Sequence, residues 1–273
     1  MLSFPNCKIN LGLNITGKRG DGFHDLETIF YPIAIKDAVE IIDGDTDLDI
    51  SFTSTGNAVA GNEADNLCIK AYRLLKKDYP QIPNVKLHLH KNIPMGAGLG
   101  GGSADASAVL VLLNSKYNLQ ISEAKLLDYA LQLGSDCPFF IINKPCFATG
   151  RGEVLSPIGI DLSAYKIMIV NPGIHVNTSA AFSALDANNF SPKNILPQKI
   201  QADIKTWKDE IKNDFEIPVF KQHPEIATIK NLMYENGAIY SAMSGTGSSV
   251  FGIFTKENNV TTNFPAHYFC QMV

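Results

Sequence analysis

A run of glycines in front of a predicted helix carries the clearest chemical signal in this sequence. Five glycines occupy the seven positions from Gly96 to Gly102, and an apolar, alanine-rich segment follows directly. A large anion can approach backbone N–H groups only where no Cβ stands in the way. The first N–H groups of a helix also lack partners inside the helix. The run therefore predicts a phosphate-binding loop, with Ser103 adding a hydroxyl at the helix start.

Two other interpretations of the same glycines are weaker. A tight turn that needs positive φ would require one or two glycines rather than five. Three of the glycines fit the spacing of a dinucleotide-binding loop, but Pro94–Met95 interrupts the strand that should enter it. The acidic residue expected about 20 positions later, Glu123, stands at a predicted helix start instead of at a strand end. The P-loop pattern G-x-x-x-x-G-K-[ST] does not occur.

Periodic segments on both sides of the loop predict the elements that position it. Alternation of apolar residues predicts strands over about Cys7–Thr16 and over Val85–His90. Ser103 is expected to cap the helix after the glycines, and Ser122 to cap a helix that ends at Gly134. Strands are also expected within 26–42, over 166–170 and on both sides of the loop 244–249, with a helix over 224–237 and short helices around Ala180 and Trp207.

These elements mix strands and helices without a regular βαβ rhythm, which predicts an α+β fold. The length of 273 residues suits one large domain or two modest ones. The sequence changes character between about Gly150 and Ser163. We therefore expect two domains, over residues 1–155 and 156–273.

Composition excludes several classes of protein. The net charge of −4 gives no strong attraction to nucleic acid or to an anionic membrane. Five scattered cysteines without a C-x-x-C pair argue against a disulfide framework or a zinc knuckle. The longest apolar run is far shorter than the roughly 20 residues of a membrane-spanning helix, and the N-terminus does not resemble a signal peptide. We expect a cytoplasmic protein with no nucleic-acid or membrane partner.

Four segments then resemble a known family in the same order along the chain. PMGAGLGGGSADA from Pro94 resembles the glycine motif of the GHMP small-molecule kinases, and SAMSGTGSSVFGIF from Ser241 resembles their C-terminal glycine motif. PNCKINLGLNITGKRGDGFHDLETIF and LGSDCPFF, from Pro5 and Leu133, are similar to segments of one branch of that family. That branch acts on 4-diphosphocytidyl-2-C-methyl-D-erythritol.

The resemblance implies the fold and the reaction. The fold would have an N-terminal part like domain 2 of ribosomal protein S5 and a ferredoxin-like C-terminal part. The activity would be ATP-dependent phosphorylation of the substrate's 2-hydroxyl, a step of the non-mevalonate isoprenoid route, by a monomer or homodimer. The expected ATP-binding residues are Pro94, Met95, Gly96, Ala97, Gly98, Leu99, Gly100, Gly101, Gly102, Ser103 and Ala104.

Two side chains are the expected catalytic groups. Phosphoryl transfer needs positioning, neutralisation of charge and a group that accepts the hydroxyl proton. Asp136 follows the predicted helix end at Gly134, and on resemblance it is the base; we expect it on a strand edge beside apolar residues. The alternative is an aspartate that caps a turn. Lys8 is the expected cation, and its alternative is a solvated lysine at a strand edge.

The expected substrate residues follow from the same resemblance. Asn10 should share a strand face with Lys8 and could bind a substrate hydroxyl. The family has a Tyr-His pair near the cytosine where this chain has Phe23 and His24, so the ring is kept and the phenol hydroxyl is lost. A second aromatic position corresponds to His175. The remaining candidates are Thr178, Gly245 and Thr246.

Metal binding and rival functions complete the expectations. His88 and His90 could ligate a metal from one strand face, but without an evident third ligand a solvated face is favoured. Mg²⁺ should arrive bound through the phosphates of ATP, with Ser103 as a possible contact and no dedicated protein site. The alternative functions are another GHMP kinase, of the homoserine or mevalonate type, and a non-catalytic nucleotide-binding module.

Overall fold

A computed structural model describes residues 1–44, 48–59, 61–185, 190–260 and 264–273. The strands in these ranges are β1 (Leu2–Ser3), β2 (Asn6–Lys18), β3 (His24–Lys36), β4 (Ala38–Asp43), β5 (Ile50–Gly56), β6 (Val85–Lys91), β7 (Cys146–Thr149), β8 (Val154–Pro157), β9 (Tyr165–Asn171), β10 (Tyr240–Met243), β11 (Val250–Thr255) and β12 (Phe269–Met272). The helices are α1 (Leu67–Asp78), α2 (Gly101–Lys116), α3 (Glu123–Leu133), α4 (Cys137–Ile142), α5 (Thr178–Ser183), α6 (Leu196–Ile200), α7 (Trp207–Glu210), α8 (Glu216–Gln222) and α9 (Pro224–Glu235).

The described residues form two compact units that interleave along the chain. The first unit comprises Met1–Cys7, Ala34–Met95 and Gly100–Asn143. The second comprises Lys8–Ile33, Gly96–Leu99 and Lys144–Val273. Both units mix helices with strands. The predicted division into domains 1–155 and 156–273 stays a prediction.

The first unit is a four-stranded sheet with helices packed on it. Its strand order is β1-β4-β6-β5, with β4 antiparallel and β5 parallel to β6. Val85, Leu87 and Leu89 are buried, as the alternation in β6 predicted, and they join one hydrophobic core with residues of α1, α2 and α3. This core fixes the end of β6 and the start of α2, the two ends of the glycine loop.

The sequence predicted both ends of α3 correctly and the start of α2 incorrectly. The Ser122 hydroxyl accepts from the Lys125 N–H at 3.3 Å and caps α3, and Gly134 ends that helix, which confirms both predictions. The predicted cap at Ser103 is wrong. Helix α2 begins three residues earlier than predicted, after Gly100, whose left-handed backbone turns the chain into the helix without any side-chain cap. Ser103 therefore lies inside the first turn.

The second unit contains two further sheets. Strands β7 and β8 and most of β2 and β3 form a sheet in the order β2-β3-β7-β8. The other sheet has the order β10-β11-β9-β12, with antiparallel pairing between all neighbours. The hairpin of β10 and β11 confirms the predicted strand, loop and strand around residues 244–249. Helix α9 begins at Pro224 and ends before Gly237, as its sequence predicted.

None of the helices in the described ranges has both the length and the apolar character needed to cross a membrane.

Candidate active site

The loop between β6 and α2 uses its glycines for backbone shape. Gly96, Gly98 and Gly100 have φ of 60°, 77° and 70°, the left-handed region that other residues rarely adopt. A Cβ added at Gly98 would overlap the Ser244 carbonyl oxygen and lie 2.9 Å from the carbon that carries it. At least these positions therefore require glycine for the conformation and close packing of the loop.

The carbonyl groups of Ala97, Gly98 and Leu99, which belong to the second unit, accept hydrogen bonds from other residues of that unit. The Gly98 carbonyl accepts from the Lys8 ammonium at 3.0 Å and from the Ser244 hydroxyl at 2.9 Å. The next carbonyl, of Leu99, accepts from the Lys8 N–H at 3.0 Å. The Ala97 carbonyl accepts from a backbone N–H of the β10–β11 loop at 3.1 Å. Three successive acceptors thus have protein partners.

The N–H groups of the same segment have no such partners. From Gly96 to Ser103, the described residues provide no acceptor for a backbone N–H. The last three of these positions form the first turn of α2, a helix of 16 residues that starts without a side-chain cap. Unpaired N–H groups and the positive end of a helix dipole attract anions. The segment is thus suited to bind phosphate through its backbone.

A buried ion cluster holds the N-terminal part of α2 against the end of β6. The Lys91 ammonium binds Asp37 and lies 2.8 Å from a carboxylate oxygen of Asp105, and all three side chains are almost fully buried. Asp37 also accepts from the N–H groups of Asn92 and Ile93, at 2.6 and 2.8 Å. This cluster joins the end of β6, the β3–β4 turn and the second turn of α2.

Burial and neighbouring charges set the protonation of this cluster. Burial lowers the pKa of Lys91, but the charges of Asp105 and Asp37 outweigh that effect and raise it. Burial raises the pKa of Asp105 to about 7, although the charge of Lys91 opposes the rise. The second carboxylate oxygen of Asp105 is buried and has no hydrogen-bond partner in the described structure. Asp105 also lines a cavity of about 140 Å³, together with Asn66, Leu67 and other residues.

Lys8 and Asn10 form a buried polar pair on β2. Lys8 is 3% exposed, so its alternative as a solvated edge residue is wrong. Its ammonium donates to the Asn10 side-chain oxygen at 2.6 Å, which confirms that the two side chains share a strand face, and lies 5.2 Å from the centre of the Phe30 ring. The Asn10 amide donates to the Thr28 hydroxyl at 2.9 Å. Both polar groups are therefore held in fixed orientations.

Asp136 directly precedes the short helix α4 in the first unit. Its position on a strand edge, expected from the sequence, is wrong, because the residues after it turn into a helix rather than a strand. Its carboxylate does not cap this helix, and the side chain is partly exposed. Cys137, Pro138 and Phe139, which follow, are buried. Burial raises the pKa of the Cys137 thiol to about 11. Asp136 thus directly precedes a buried apolar segment, and of the predicted surroundings only the apolar neighbours are confirmed.

The loop between β10 and β11 joins two predicted substrate residues. The hydroxyls of Thr178 and Thr246 lie 3.2 Å apart. The Asn213 amide donates to the carbonyls of Met243 and Gly245 at 2.8 Å each, which fixes the start of the loop. These contacts place the loop's polar groups beside the first turn of α5.

The aromatic candidates occupy different places in the second unit. His24 stacks with Phe182 at 5.1 Å between ring centres and 25° between planes. Burial lowers the pKa of His24, and the charge of Lys18 lowers it further, so the ring is neutral at pH 7. His175 lies near Gly96 instead, where an added Cβ would be 3.6 Å from its Nδ1. Phe182 was missed by the sequence analysis, although it lies near the positions considered for a second aromatic.

The two histidines of β6, the partly exposed His88 and the exposed His90, are hydrogen-bonded to hydroxyl groups. His88 is hydrogen-bonded to Thr53 and Thr55 at 2.8 and 3.0 Å, and His90 to Thr55 at 2.9 Å. Across the described ranges, no three His, Cys, Asp or Glu side chains are grouped so as to hold a metal ion.

The comparisons with known proteins give the family. Residues 66–144 match the GHMP kinases N terminal domain, and residues 196–268 match the GHMP kinases C terminal domain. The chain belongs to the GHMP kinase family, which confirms the predicted fold class and makes it an ATP-dependent small-molecule kinase.

Its relatives point to one branch of the family. The chain is 49% identical to 4-diphosphocytidyl-2-C-methyl-D-erythritol kinase of Bacteroides fragilis strain YCH46 over 262 residues, which cover 96% of this chain and 94% of the relative. It is 46% identical to the protein of that name from Azobacteroides pseudotrichonymphae over 98% of this chain and all of the relative. A solved 4-(cytidine 5'-diphospho)-2C-methyl-D-erythritol kinase superposes with a TM-score of 0.79 at 30% identity, covering 93% and 90% of the two chains. Homoserine kinase from Cytophaga hutchinsonii, at 16% identity, a TM-score of 0.67 and coverage of 92% and 85%, shares the fold alone.

Proposed function

We propose that this chain transfers the γ-phosphoryl group of ATP to the 2-hydroxyl of 4-diphosphocytidyl-2-C-methyl-D-erythritol. The observation that carries the proposal is the difference between the carbonyl groups and the N–H groups of the glycine loop. Its carbonyls at 97, 98 and 99 have protein partners, while the N–H groups from Gly96 to Ser103 have none among the described residues. A polyphosphate supplies the acceptors that these groups lack. The names of the relatives supply the acceptor substrate.

The nucleotide is proposed to extend from this loop into the neighbouring cavity. The loop residues Pro94 to Ala104 would hold the phosphates through their backbone. The cavity of about 140 Å³ is lined by Met95 and Gly102 of this segment and by Asn66 and Leu67. Its mixture of apolar walls and amide groups suits a planar base with polar edges.

Asp136 and Lys8 are proposed to act on the reacting groups. Asp136 would accept the proton of the substrate hydroxyl, a contribution of about 10²- to 10⁴-fold to the rate. Lys8 would neutralise negative charge on the transferring phosphoryl group. The support for Lys8 is that its ammonium is buried and held in place by Asn10 and by the Gly98 carbonyl of the phosphate loop. The support for Asp136 is its match to the family segment.

The cytidine half of the substrate is proposed to bind at the aromatic cluster. His24 and Phe182 offer stacked ring faces, and the neutral His24 ring has both a donor and an acceptor for a pyrimidine edge. Thr178 and Thr246 offer hydroxyls, and Gly245 a backbone group. The predicted roles of Phe23 and His175 at the cytosine stay predictions.

Mg²⁺ is proposed to enter with ATP, bound through the phosphate oxygens. When bound, it neutralises the charge that develops during phosphoryl transfer. Mg²⁺ prefers oxygen ligands and retains several waters, so one hydroxyl suffices as a protein contact. Ser103, in the first turn of α2, offers such a hydroxyl. The expectation that the protein has no dedicated metal site stays a prediction, as do the cytoplasmic location and the monomeric or homodimeric state.

An ATP-coupled assay with three acceptors tests the function. Purified protein is given ATP and Mg²⁺ with 4-diphosphocytidyl-2-C-methyl-D-erythritol, homoserine or mevalonate, and the product is identified by mass spectrometry. Turnover of the cytidine substrate alone is expected. Turnover of homoserine or mevalonate instead would favour the other kinase types. ATP binding without any transfer would favour a non-catalytic module.

A further inference from the structure

Arg151 lies at the tip of the β7–β8 hairpin, in a backbone shape that two glycines allow. Gly150 and Gly152 on either side have φ of 69° and 105°. The Gly150 carbonyl accepts from the Leu26 N–H at 2.7 Å, which ties the tip to the start of β3. The Arg151 N–H donates to the Glu153 carboxylate at 2.5 Å and closes the turn. The backbone of Arg151 is therefore fixed beside the segment that carries His24.

The guanidinium of Arg151 keeps its hydrogen-bond donors available. The Glu153 carboxylate forms an ion pair with it at 3.7 Å from Nε, beyond hydrogen-bond distance, and no acceptor in the described ranges is hydrogen-bonded to the guanidinium. The neighbouring Arg19 differs, because it donates to Asp21 at 3.2 Å and to Asp25 at 3.1 Å. Of these two arginines, Arg151 is the one that can bind a ligand without breaking an existing hydrogen bond.

The Arg151 guanidinium lies over the ring of Phe23. The central carbon of the Arg151 guanidinium lies 4.9 Å from the centre of the Phe23 ring, and Phe23 is 53% exposed. A guanidinium stacked on an aromatic face keeps its N–H groups in its own plane, pointing past the ring. The Phe23 side chain has no polar group of its own. The hydrogen-bond donors at this place come from Arg151 instead.

We propose that Arg151 binds the diphosphate of the cytidine substrate and sets the affinity for it. This inference rests on the function proposed above. A guanidinium fork matches two phosphate oxygens, and a diphosphate is the most acceptor-rich group of that substrate. Phe23 directly precedes His24, whose stacked ring is the proposed site of the base. The Arg19 guanidinium is hydrogen-bonded to two carboxylates, whereas that of Arg151 has only the Glu153 carboxylate at 3.7 Å, beyond hydrogen-bond distance. Arg151 is therefore the arginine whose N–H groups can donate to the diphosphate.

Titration calorimetry with CDP and with cytidine tests whether Arg151 binds the diphosphate. Arg151→Gln is expected to weaken CDP binding about fivefold, since one exposed charged contact contributes about 1 kcal/mol. Cytidine, which lacks phosphate, should bind the variant as it binds the wild type. Arg151→Lys keeps the charge but loses the planar fork, so an intermediate affinity is expected. In turnover, KM for the cytidine substrate should rise while kcat and KM for ATP stay unchanged.

The matched control is Arg73→Gln, which removes an exposed guanidinium that is already paired with Asp49. It should leave CDP binding unchanged, and a thermal melt of each variant checks that it folds. Equal weakening of CDP and cytidine by Arg151→Gln, or weakening of neither, would overturn the inference. If the wild type binds CDP but does not phosphorylate the cytidine substrate, the proposed function fails while the diphosphate contact stands.

Discussion

Replacing Gly98 by alanine tests whether the shape of the glycine loop sets both stability and turnover. The new Cβ would overlap the Ser244 carbonyl oxygen, and the backbone φ of 77° is unfavourable for alanine. The left-handed backbone alone costs about 1–2 kcal/mol. Relieving the overlap requires a backbone shift of roughly 1 Å, which also weakens the hydrogen bonds of the Gly98 carbonyl to Lys8 and Ser244. The expected total loss of unfolding free energy is about 3–5 kcal/mol.

The same shift should reduce turnover. A displacement of about 1 Å in a positioning group can lower the rate about 10²-fold. Urea unfolding measures the free energy, and the ATP-coupled assay measures kcat and KM for ATP. Gly159→Ala is the matched control, because an added Cβ there has nothing within 4 Å. A Gly98→Ala protein with stability within 0.5 kcal/mol of the wild type and unchanged kcat would refute the role given to this loop.

Three further predictions concern other parts of the site. Asp136→Asn should lower kcat by about 10²- to 10⁴-fold with little change in ATP binding, and near-normal turnover would exclude it as the base. Phe182→Ala should raise KM for the cytidine substrate by about 5-fold or more, since base stacking contributes about 1–3 kcal/mol, while Phe182→Tyr should keep it. In the folded chain the pKa of Asp105 is raised by burial to about 7, from an ordinary value of 3.8, so its contribution to stability falls as pH rises between these values. The unfolding free energy of Asp105→Asn should therefore rise relative to that of the wild type as pH increases, by at most about 1.4 kcal/mol per pH unit in urea titrations at pH 4–7. A difference that stays constant with pH would contradict the raised pKa of Asp105.

Local signals in the sequence predicted the elements whose ends and faces are set by neighbouring residues. Ser122 and Gly134 define α3 because a cap acts on the backbone within three residues of it. The alternation in β6 predicted its buried face because a strand with one side on a core repeats every two residues. The glycine run predicted a loop before a helix, because glycine's backbone freedom is a property of the residue itself.

What depends on distant partners could not be predicted in this way. Lys8 is buried because Asn10 and the Gly98 carbonyl solvate its ammonium, and the second of these is 90 residues away. Ser103 looks like a cap, but Gly100 adopts the left-handed backbone that starts the helix first. Phe182 stacks on His24 across more than 150 residues, and no local pattern distinguishes it from other aromatic residues of the chain.

The hydrogen bonds of the glycine loop have a consequence for nucleotide affinity. Ordering a flexible backbone costs about 1–2 kcal/mol of conformational entropy per residue. Here the carbonyls of Ala97, Gly98 and Leu99 already restrict the chain, and they do so without using the N–H groups. The loop is thus ordered by the protein itself, and if it binds ATP as proposed, little of the binding free energy would be lost to ordering it. On that proposal, the nucleotide would bind a loop that already has its final conformation, rather than a loop that becomes ordered only on binding.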